Sequence, residues 1–196
     1  VLDGADTLLG YDSIAALGAG FSESGSTQVR VPTGLTSGTY YVIAEADSTA
    51  VLSEASDANN TRFVQFSVGT PDLTISALTT NKTVFSAGES VTISATTKNV
   101  GTGGVATYSY NYFYLSKDSI WDAGDIELGS DSVNTLAVGQ SETDSTTVTL
   151  PKLLPAGAGT YYLIGKADAT ARIVESSESN NTLFAAQLTL QVPDLV

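Results

Sequence analysis

The 196-residue sequence contains no cysteine, histidine or methionine, and its 8 lysine and arginine residues stand against 21 aspartate and glutamate residues. Without cysteine there are no disulfides, thiolate nucleophiles or iron–sulfur ligands, and without histidine there is no Ser-His-Asp triad or imidazole metal site. The net charge of −13 disfavours nucleic acid and anionic membranes as partners and favours the attraction of cations. No apolar run approaches the roughly 18 residues that a membrane span requires.

The motifs of common enzyme classes are missing as well. No Asp-Thr-Gly, Gly-x-Ser-x-Gly or Ser-x-x-Lys motif occurs, and the glycine-rich stretch 101–104 has no phosphate-binding lysine after it. We therefore predict that the protein is not an enzyme.

An internal repeat organises the chain. Four segments of the first 73 residues return 119 to 122 positions later in the same order. They are 3–10 and 122–129, 38–41 and 159–162, 54–61 and 175–182, and 71–73 and 193–195. Such a drifting offset is typical of two copies of one module with small loop insertions.

The repeat predicts three parts. Residues 71–192 form a complete module, and residues 193–196 open a further repeat or a tail. Residues 1–70 match only the last part of the module, so its first strands are missing from this stretch. Two explanations remain open: the strands lie upstream in a longer array, or a neighbouring chain donates them and links subunits head to tail.

Alternating apolar and polar residues, separated by turn residues, predict seven strands in the complete module and no helix. Residues 1–70 are predicted to carry counterparts of the last four. The seven predicted strands are 73–78, 91–97, 107–116, 126–133, 145–150, 160–166 and 182–191. This pattern indicates an all-β protein with an immunoglobulin- or fibronectin III-like antiparallel β-sandwich, arranged as tandem modules.

Several motifs of the complete module form a joint pattern. They are Tyr-Leu-Ser-Lys-Asp at 114–118, Leu-Gly-Ser at 128–130, Gly-Thr-Tyr-Tyr-Leu-Ile at 159–164, Glu-Ser-Ser-Glu-Ser-Asn-Asn-Thr at 175–182, and Pro-Asp-Leu at 71–73 and 193–195. Together these motifs resemble the CARDB family, the cell-adhesion-related domain found in bacteria. The resemblance implies immunoglobulin-like sandwiches in tandem within large secreted or surface proteins of bacteria and archaea. It implies no catalytic residues.

Acidic residues in the loop 117–127 are the best candidates for binding Ca²⁺, which takes six to eight oxygen ligands. The alternative is a solvated turn in which the aspartates cap backbone N–H groups. The candidate metal ligands are Asp118, Asp122, Asp125 and Glu127, with Asp3 and Asp6 as the repeated part.

A second acidic cluster lies between the sixth and seventh predicted strands. Its members are Asp168, Glu175, Glu178, Asn180 and Asn181, mirrored by Asp47, Glu54, Asp57, Asn59 and Asn60. Aspartate and asparagine in such hairpin loops favour side-chain-to-backbone bonds and positive φ angles, so we favour turn chemistry over cation binding.

Four tyrosines alternate along the third predicted strand and therefore share one face: Tyr108, Tyr110, Tyr112 and Tyr114. An exposed stripe would stack on sugar rings or contact a partner, whereas a buried one would form half of the core. Phe113 and Leu115 compete for the inward position. We favour packing in the core or between modules.

These observations predict a non-catalytic, extracellular structural repeat in a cell-surface protein, filament or stalk, with bound Ca²⁺ as a stiffening ion. Its partners are neighbouring repeats, with strand donation as a route to head-to-tail self-assembly. The alternative function is an adhesion module that binds a carbohydrate or a protein through the tyrosines or the loop tips.

Overall fold

The computed structural model describes residues 2–105, 107–154 and 156–191. The segment predicted to open a further repeat, 193–196, lies outside the described residues. The chain divides into two compact units, residues 1–68 and residues 69–196.

The first unit contains one antiparallel strand pair. Strand β1 (Gly38–Glu45) pairs with β2 (Thr61–Val68) from Gly38 opposite Val68 to Glu45 opposite Thr61. These strands correspond to the sixth and seventh strands of the repeat. The described residues before β1 contain no strand, so the predicted counterparts of the fourth and fifth strands are wrong.

The physical reason lies in the pairing of the second unit. There the fourth strand of the repeat pairs with the third, and the fifth pairs with the second. Residues 1–70 carry no counterpart of the second or third strand. A lone strand leaves its backbone N–H and C=O groups without ladder partners, so the two orphaned segments stay irregular.

The second unit is a sandwich of two sheets. One sheet has the order β4-β10-β9-β6-β7 and the other the order β3-β5-β8, with every pair antiparallel except β4 and β10. The eight strands are β3 (Leu73–Thr80), β4 (Val84–Ser86), β5 (Ser90–Asn99), β6 (Ser109–Ser116), β7 (Ile126–Val133), β8 (Ser141–Thr149), β9 (Gly159–Lys166) and β10 (Thr182–Gln191).

The predicted all-β, immunoglobulin-like sandwich is therefore confirmed. Two details differ from the sequence prediction. Strand β8 begins at Ser141, four residues before its predicted start, because it follows β5 along nearly its whole length. Strand β4 was not predicted, since three residues are too few to show an alternating pattern.

Alternating side chains of the two sheets fill the core. On β5, Val91, Ile93 and Ala95 point inward, and on β6 the buried apolar residues are Phe113 and Leu115. Strand β3 packs across the core against β9 and β10. Because side chains alternate between the two faces of a strand, the residues between these inward-pointing ones on β5 and β6 lie on the outer faces of the sandwich.

Two buried polar side chains inside the sandwich hydrogen-bond to each other. The Thr97 hydroxyl and the Asn111 amide join the two sheets through contacts of 2.8 and 3.1 Å. On the outer face of the three-stranded sheet, threonine hydroxyls meet in cross-strand pairs, Thr92 with Thr147 and Thr96 with Thr143. Buried polar groups that find such partners avoid most of the cost of desolvation.

Two glycines allow the segment before β3 to lie against the loop that follows β5. A Cβ atom at Gly101 would overlap the backbone of residues 70–72, and one at Gly103 would overlap the backbone of Gly69 and Thr70. The Thr70 carbonyl accepts hydrogen bonds of 2.9 Å from the N–H groups of residues 102 and 103. The glycine-rich stretch 101–104 is therefore a packing site for backbone.

Truncation of a core leucine is expected to destabilise the second unit. Leu163 is fully buried, so Leu163→Ala should lower the free energy of unfolding by about 2–5 kcal/mol. The matched control Leu153→Ala removes the same atoms from a side chain that is 83% exposed and should change it by less than about 0.5 kcal/mol. Urea unfolding followed by the fluorescence of Trp121, the single tryptophan, measures both. Equal losses in the two variants would contradict the placement of Leu163.

Candidate functional site

The acidic loop between β6 and β7 is a hydrogen-bonded turn. The Asp118 carboxylate accepts a bond of 2.8 Å from the N–H of Ile120, and the Asp122 carboxylate accepts one of 2.7 Å from the N–H of Gly124. Asp125 closes the turn by accepting a bond of 3.0 Å from the N–H of Asp122. Each aspartate therefore uses one carboxylate oxygen to hold the loop's own backbone.

The same turn occurs near the start of the chain. Asp3 accepts a bond of 2.8 Å from the N–H of Ala5, and Asp6 accepts one of 2.8 Å from the N–H of Asp3. These contacts match those of Asp122 and Asp125 position by position. The repeat seen in the sequence thus extends to the hydrogen bonds of the turn.

The carboxylates of the loop do not form a ready-made ligand set. Within residues 2–105, 107–154 and 156–191, no three histidine, cysteine, aspartate or glutamate side chains are placed so that they would hold a metal ion. Glu127 lies on β7 opposite Tyr114. The pKa of Tyr114 is raised, mainly because its ring is partly buried and secondly because the negative charge of Glu127 is near. Calcium binding at Asp118, Asp122, Asp125 and Glu127 stays a prediction from the sequence.

The loop between β9 and β10 is built around a buried aspartate. Asp168 is 2% exposed, adopts a φ angle of 39°, and accepts hydrogen bonds of 3.1 and 2.7 Å from the N–H groups four and five residues further on. Ala171 also has a positive φ of 49°. The Asp168 carboxylate compensates for this unusual backbone path by satisfying two N–H groups.

The first unit contains the same loop. Asp47 and Ala50 have φ angles of 45° and 49°, and the Asp47 carboxylate accepts bonds of 3.0 and 2.9 Å from the N–H groups four and five residues further on. The two loops are thus alike in sequence, dihedral angles and hydrogen bonds.

Glu175 is the most strongly perturbed carboxyl group of the described residues. It is 9% exposed, and its two oxygens accept bonds of 2.7 Å from the N–H of Leu73 and 2.5 Å from the Asn181 amide. Burial raises the pKa of Glu175 to about 7, against the opposing effect of these two bonds. The charges of Glu178 and Asp168 raise the pKa further.

Residues near Glu175 hold the start of the first strand of the module. The Pro71 carbonyl accepts a bond of 2.9 Å from the N–H of Ser176. The Asp72 carboxylate accepts bonds of 2.8 Å from the Asn180 amide and 3.1 Å from the Ser176 hydroxyl. We call residues 175–181 the latch and residues 71–73 the opening segment.

The contact between the latch and the opening segment was not predicted from the sequence. Both Pro-Asp-Leu and the acidic cluster were recognised as repeated features but were not connected, because 102 positions separate Leu73 from Glu175. The available signal was that both features recur together in each copy.

A further carboxylate cluster lies where β7 meets β8, and it was also missed. Burial raises the pKa of Asp131, and burial together with the charges of Asp131 and Glu142 raises the pKa of Asp144. The three residues belong to two strands, so no short stretch of sequence brings them together.

Tyr110, Tyr112 and Tyr114 lie on the outer face of β6, and Tyr108 directly precedes the strand on the same side. Phe113 and Leu115, each 1% exposed, occupy the core instead. The prediction that the tyrosine stripe forms part of the core is therefore wrong. Aromatic residues occur on both faces of β6, so the alternating pattern alone could not show which face is buried. Packing of the stripe between modules stays a prediction.

The outer aromatic surface is partly covered by cations. The Arg172 guanidinium lies 4.0 Å from the centre of the Tyr108 ring, and the Lys166 ammonium lies 3.7 Å from that of Trp121. A shallow groove of about 520 Å³ runs beside Trp121 and Phe184. Carbohydrate stacking on Trp121 would compete with Lys166 for the same ring face.

A model of one protein family matches residues 70–185, more than half of the chain: CARDB. The chain belongs to the CARDB family. CARDB is a non-catalytic domain family associated with surface proteins. No curated protein matches the chain significantly.

Solved structures similar to this CARDB protein come from several organisms. The CARDB domain of a Pyrococcus furiosus protein, crystallised in complex with di-metal ions, is 18% identical; the match covers 62% of this chain and 90% of that one, with a TM-score of 0.45. A domain of a protein named for the cell surface in Methanosarcina acetivorans is 25% identical, over 62% and 93% of the two chains, with a TM-score of 0.41. A Listeria innocua β-glucosidase is 16% identical over 67% and 17% of the two chains, with a TM-score of 0.40.

The described residues contain no helix with the length and apolar character needed to cross a bilayer.

The pKa of Glu175 makes the stability of this CARDB module depend on pH. Its value is raised from 4.5 to about 7 in the folded state, so the folded protein holds the proton more tightly than the unfolded chain. The stabilisation is complete below about pH 4.5 and is lost as the pH rises through 7. We expect the free energy of unfolding to fall over this window by up to about 3 kcal/mol.

Substitution isolates the contribution of this one group. Glu175→Gln should abolish that part of the pH dependence, and urea unfolding followed by Trp121 fluorescence between pH 4.5 and 8 measures it. The matched control Glu54→Gln makes the same chemical change in the first unit, so the unfolding of the second unit reported by Trp121 should resemble that of wild type. An identical profile for wild type and Glu175→Gln would refute this assignment.

Proposed function

We propose that this CARDB protein is a non-catalytic, extracellular repeat of a bacterial or archaeal surface protein, where it acts as a rigid spacer in a stalk or filament. The observation that carries the proposal is the recurrence of one loop architecture in both units. Asp47 and Asp168 hold the same backbone path, and the turns at 3–6 and 122–125 share their hydrogen bonds. Such recurrence is what consecutive copies of one module would produce.

The described side chains support a spacer more than a reactive centre. The aspartates of the loops accept bonds from neighbouring backbone N–H groups, and Glu175 fastens the opening segment. These groups are engaged in holding loops, which stiffens the ends of the sandwich. A spacer needs this property, since its length is useful only if it resists bending.

The first unit fits the proposal as the second half of another module. Its two strands match β9 and β10 of the complete module, and its aromatic side chains stack across the pair at 5.8 Å for Tyr40 and Phe66. The remaining strands are provided in the same polypeptide or by a neighbouring chain, and in the second case the modules assemble head to tail.

Location at the cell surface can be tested directly. Antibodies raised against the purified chain are expected to label intact cells of the source organism, and brief protease treatment of those cells should remove the signal. An antibody against a cytoplasmic protein controls for lysis. Labelling that appears only after the cells are broken would contradict the proposal.

Binding to glycans is the competing function, and it rests on the outward aromatic surface near Trp121 and Phe184. A carbohydrate array probed with the purified chain separates the two functions. Reproducible binding that Trp121→Ala abolishes would favour adhesion over a spacer.

Calcium stiffening is a separate part of the proposal. It is supported by the net charge of −13 and by the recurrent acidic turn, where bound Ca²⁺ would have to draw the carboxylates of Asp118, Asp122 and Asp125 towards one point. We expect 1 mM Ca²⁺, a concentration on the order of extracellular site affinities, to raise the melting temperature of wild type but not of the double variant Asp118→Asn, Asp125→Asn. Mg²⁺ at the same concentration controls for charge screening. Isothermal titration without heat, together with an unchanged melting temperature, would remove calcium from the proposal.

A further inference from the structure

The complete module carries an Asn-x-Thr sequence at an exposed crossing between its two sheets. Asn-x-Ser and Asn-x-Thr, with x other than proline, are the acceptor sequences for N-linked glycans. The chain contains three of them, at 59–61, 81–83 and 180–182. The first and the third occupy the same place in the repeat, at the start of its last strand, whereas the second lies between β3 and β4.

The acceptor sequence at 180–182 is engaged in holding the module together. The Asn181 amide donates to Glu175 at 2.5 Å, and the side-chain nitrogen of Asn180 donates to Asp72 at 2.8 Å. A sugar on the Asn180 nitrogen would crowd the contact that fastens the opening segment. The asparagines of this sequence therefore have a structural role.

The amide of Asn81 is oriented differently. Its side-chain oxygen accepts a bond of 3.1 Å from the N–H of Thr92, and its backbone N–H donates to the Thr92 carbonyl at 3.1 Å. A backbone N–H bonds only to an acceptor, so this contact identifies the end of the amide that faces β5. Within residues 2–105, 107–154 and 156–191, no group accepts a bond from the Asn81 side-chain nitrogen. A glycan on this nitrogen would leave the oxygen bonded to Thr92.

The surroundings of residues 81–83 leave room for a large group. All three residues are exposed and belong to no strand. They connect β3, at the edge of the three-stranded sheet, to β4, at the edge of the five-stranded sheet. Across the described residues the Thr83 hydroxyl makes no hydrogen bond, although the Thr83 carbonyl accepts one of 2.8 Å from the N–H of Thr189. Both functional groups of the acceptor sequence are thus accessible to an enzyme.

We propose that Asn81 is a site of N-glycosylation, with an oligosaccharide linked to a lipid phosphate as the donor. The Asn81 side-chain nitrogen forms a bond to the anomeric carbon of the first sugar and gives up one proton. The bond between that carbon and the phosphate oxygen breaks, and the lipid phosphate leaves with the electron pair. This inference rests on the proposed extracellular function, because the chain meets such a donor on its export route.

A glycan at this position would shield two sheet edges. Strands at an edge present unpaired N–H and C=O groups, which can pair with another chain. Residues 81–83 join two such strands, so an oligosaccharide on Asn81 stands beside both edges. Because an attached glycan is bulky and hydrated, it would hinder lateral pairing between modules crowded on one surface.

Mass spectrometry of the chain purified from its source organism tests the proposal. Chymotrypsin, cleaving after Leu78 and Phe85, releases residues 79–85, which contain a single acceptor sequence. We expect this peptide to carry a mass increase equal to a whole number of sugar residues, with fragment ions that place the increase on Asn81. An unmodified peptide, or sugars confined to the sequences at 59–61 and 180–182, would overturn the proposal.

Variants of the full chain, expressed in the source organism, separate the acceptor sequence from its surroundings. Thr83→Ala removes the hydroxyl that the acceptor sequence requires, leaves the contacts of Asn81 in place and should abolish the modification. Thr83→Ser keeps the hydroxyl and should retain it, and Asn180→Gln should leave the peptide 79–85 modified as in wild type. Equal modification of Thr83→Ala and wild type would contradict recognition of this sequence.

The cell-surface labelling is a separate readout. A labelled surface protein whose peptide 79–85 carries no sugar would retain its proposed function and lose only this modification. A chain found only inside cells would lose both.

Discussion

Backbone pairing between strands is the constraint on which the whole structure depends. A strand forms here only where a neighbour accepts and donates its hydrogen bonds. The second unit supplies every strand with a neighbour and closes two sheets over one core. The first unit supplies only β1 and β2 with each other, and its other repeat-derived segments remain irregular although their sequences resemble those of real strands. Strand propensity alone is therefore not sufficient, and a segment becomes a strand only when a neighbouring strand pairs with it.

The loops behave differently from the strands because their bonds are local. The Asp47 and Asp168 loops, and the turns at 3–6 and 122–125, close through contacts between residues at most five positions apart. They therefore form in both units, although the described part of the first unit contains a single strand pair.

Local patterns in the sequence were sufficient for most of the strands and for the class of fold. Alternation located β3, β5, β6 and β7 closely. Features that depend on distant residues were not accessible. Strand β4 exists through its pairing with β10, which is more than 100 positions away, and the latch joins Leu73 to Glu175 over a similar distance. The burial of the tyrosine stripe was predicted wrongly for another reason. Both faces of β6 carry aromatic side chains, and only packing against the opposite sheet determines which face is buried.

The two outer faces of the sandwich differ in chemistry. One carries the paired threonine hydroxyls of β5 and β8, and the other carries tyrosines, Trp121 and the cations above their rings. A module of this kind has a hydrated side and an aromatic side, so turning it by half a revolution about its long axis exchanges them. In an array of such modules, the angular step from one to the next would decide whether the aromatic sides form a straight stripe or wind around the filament as a helix.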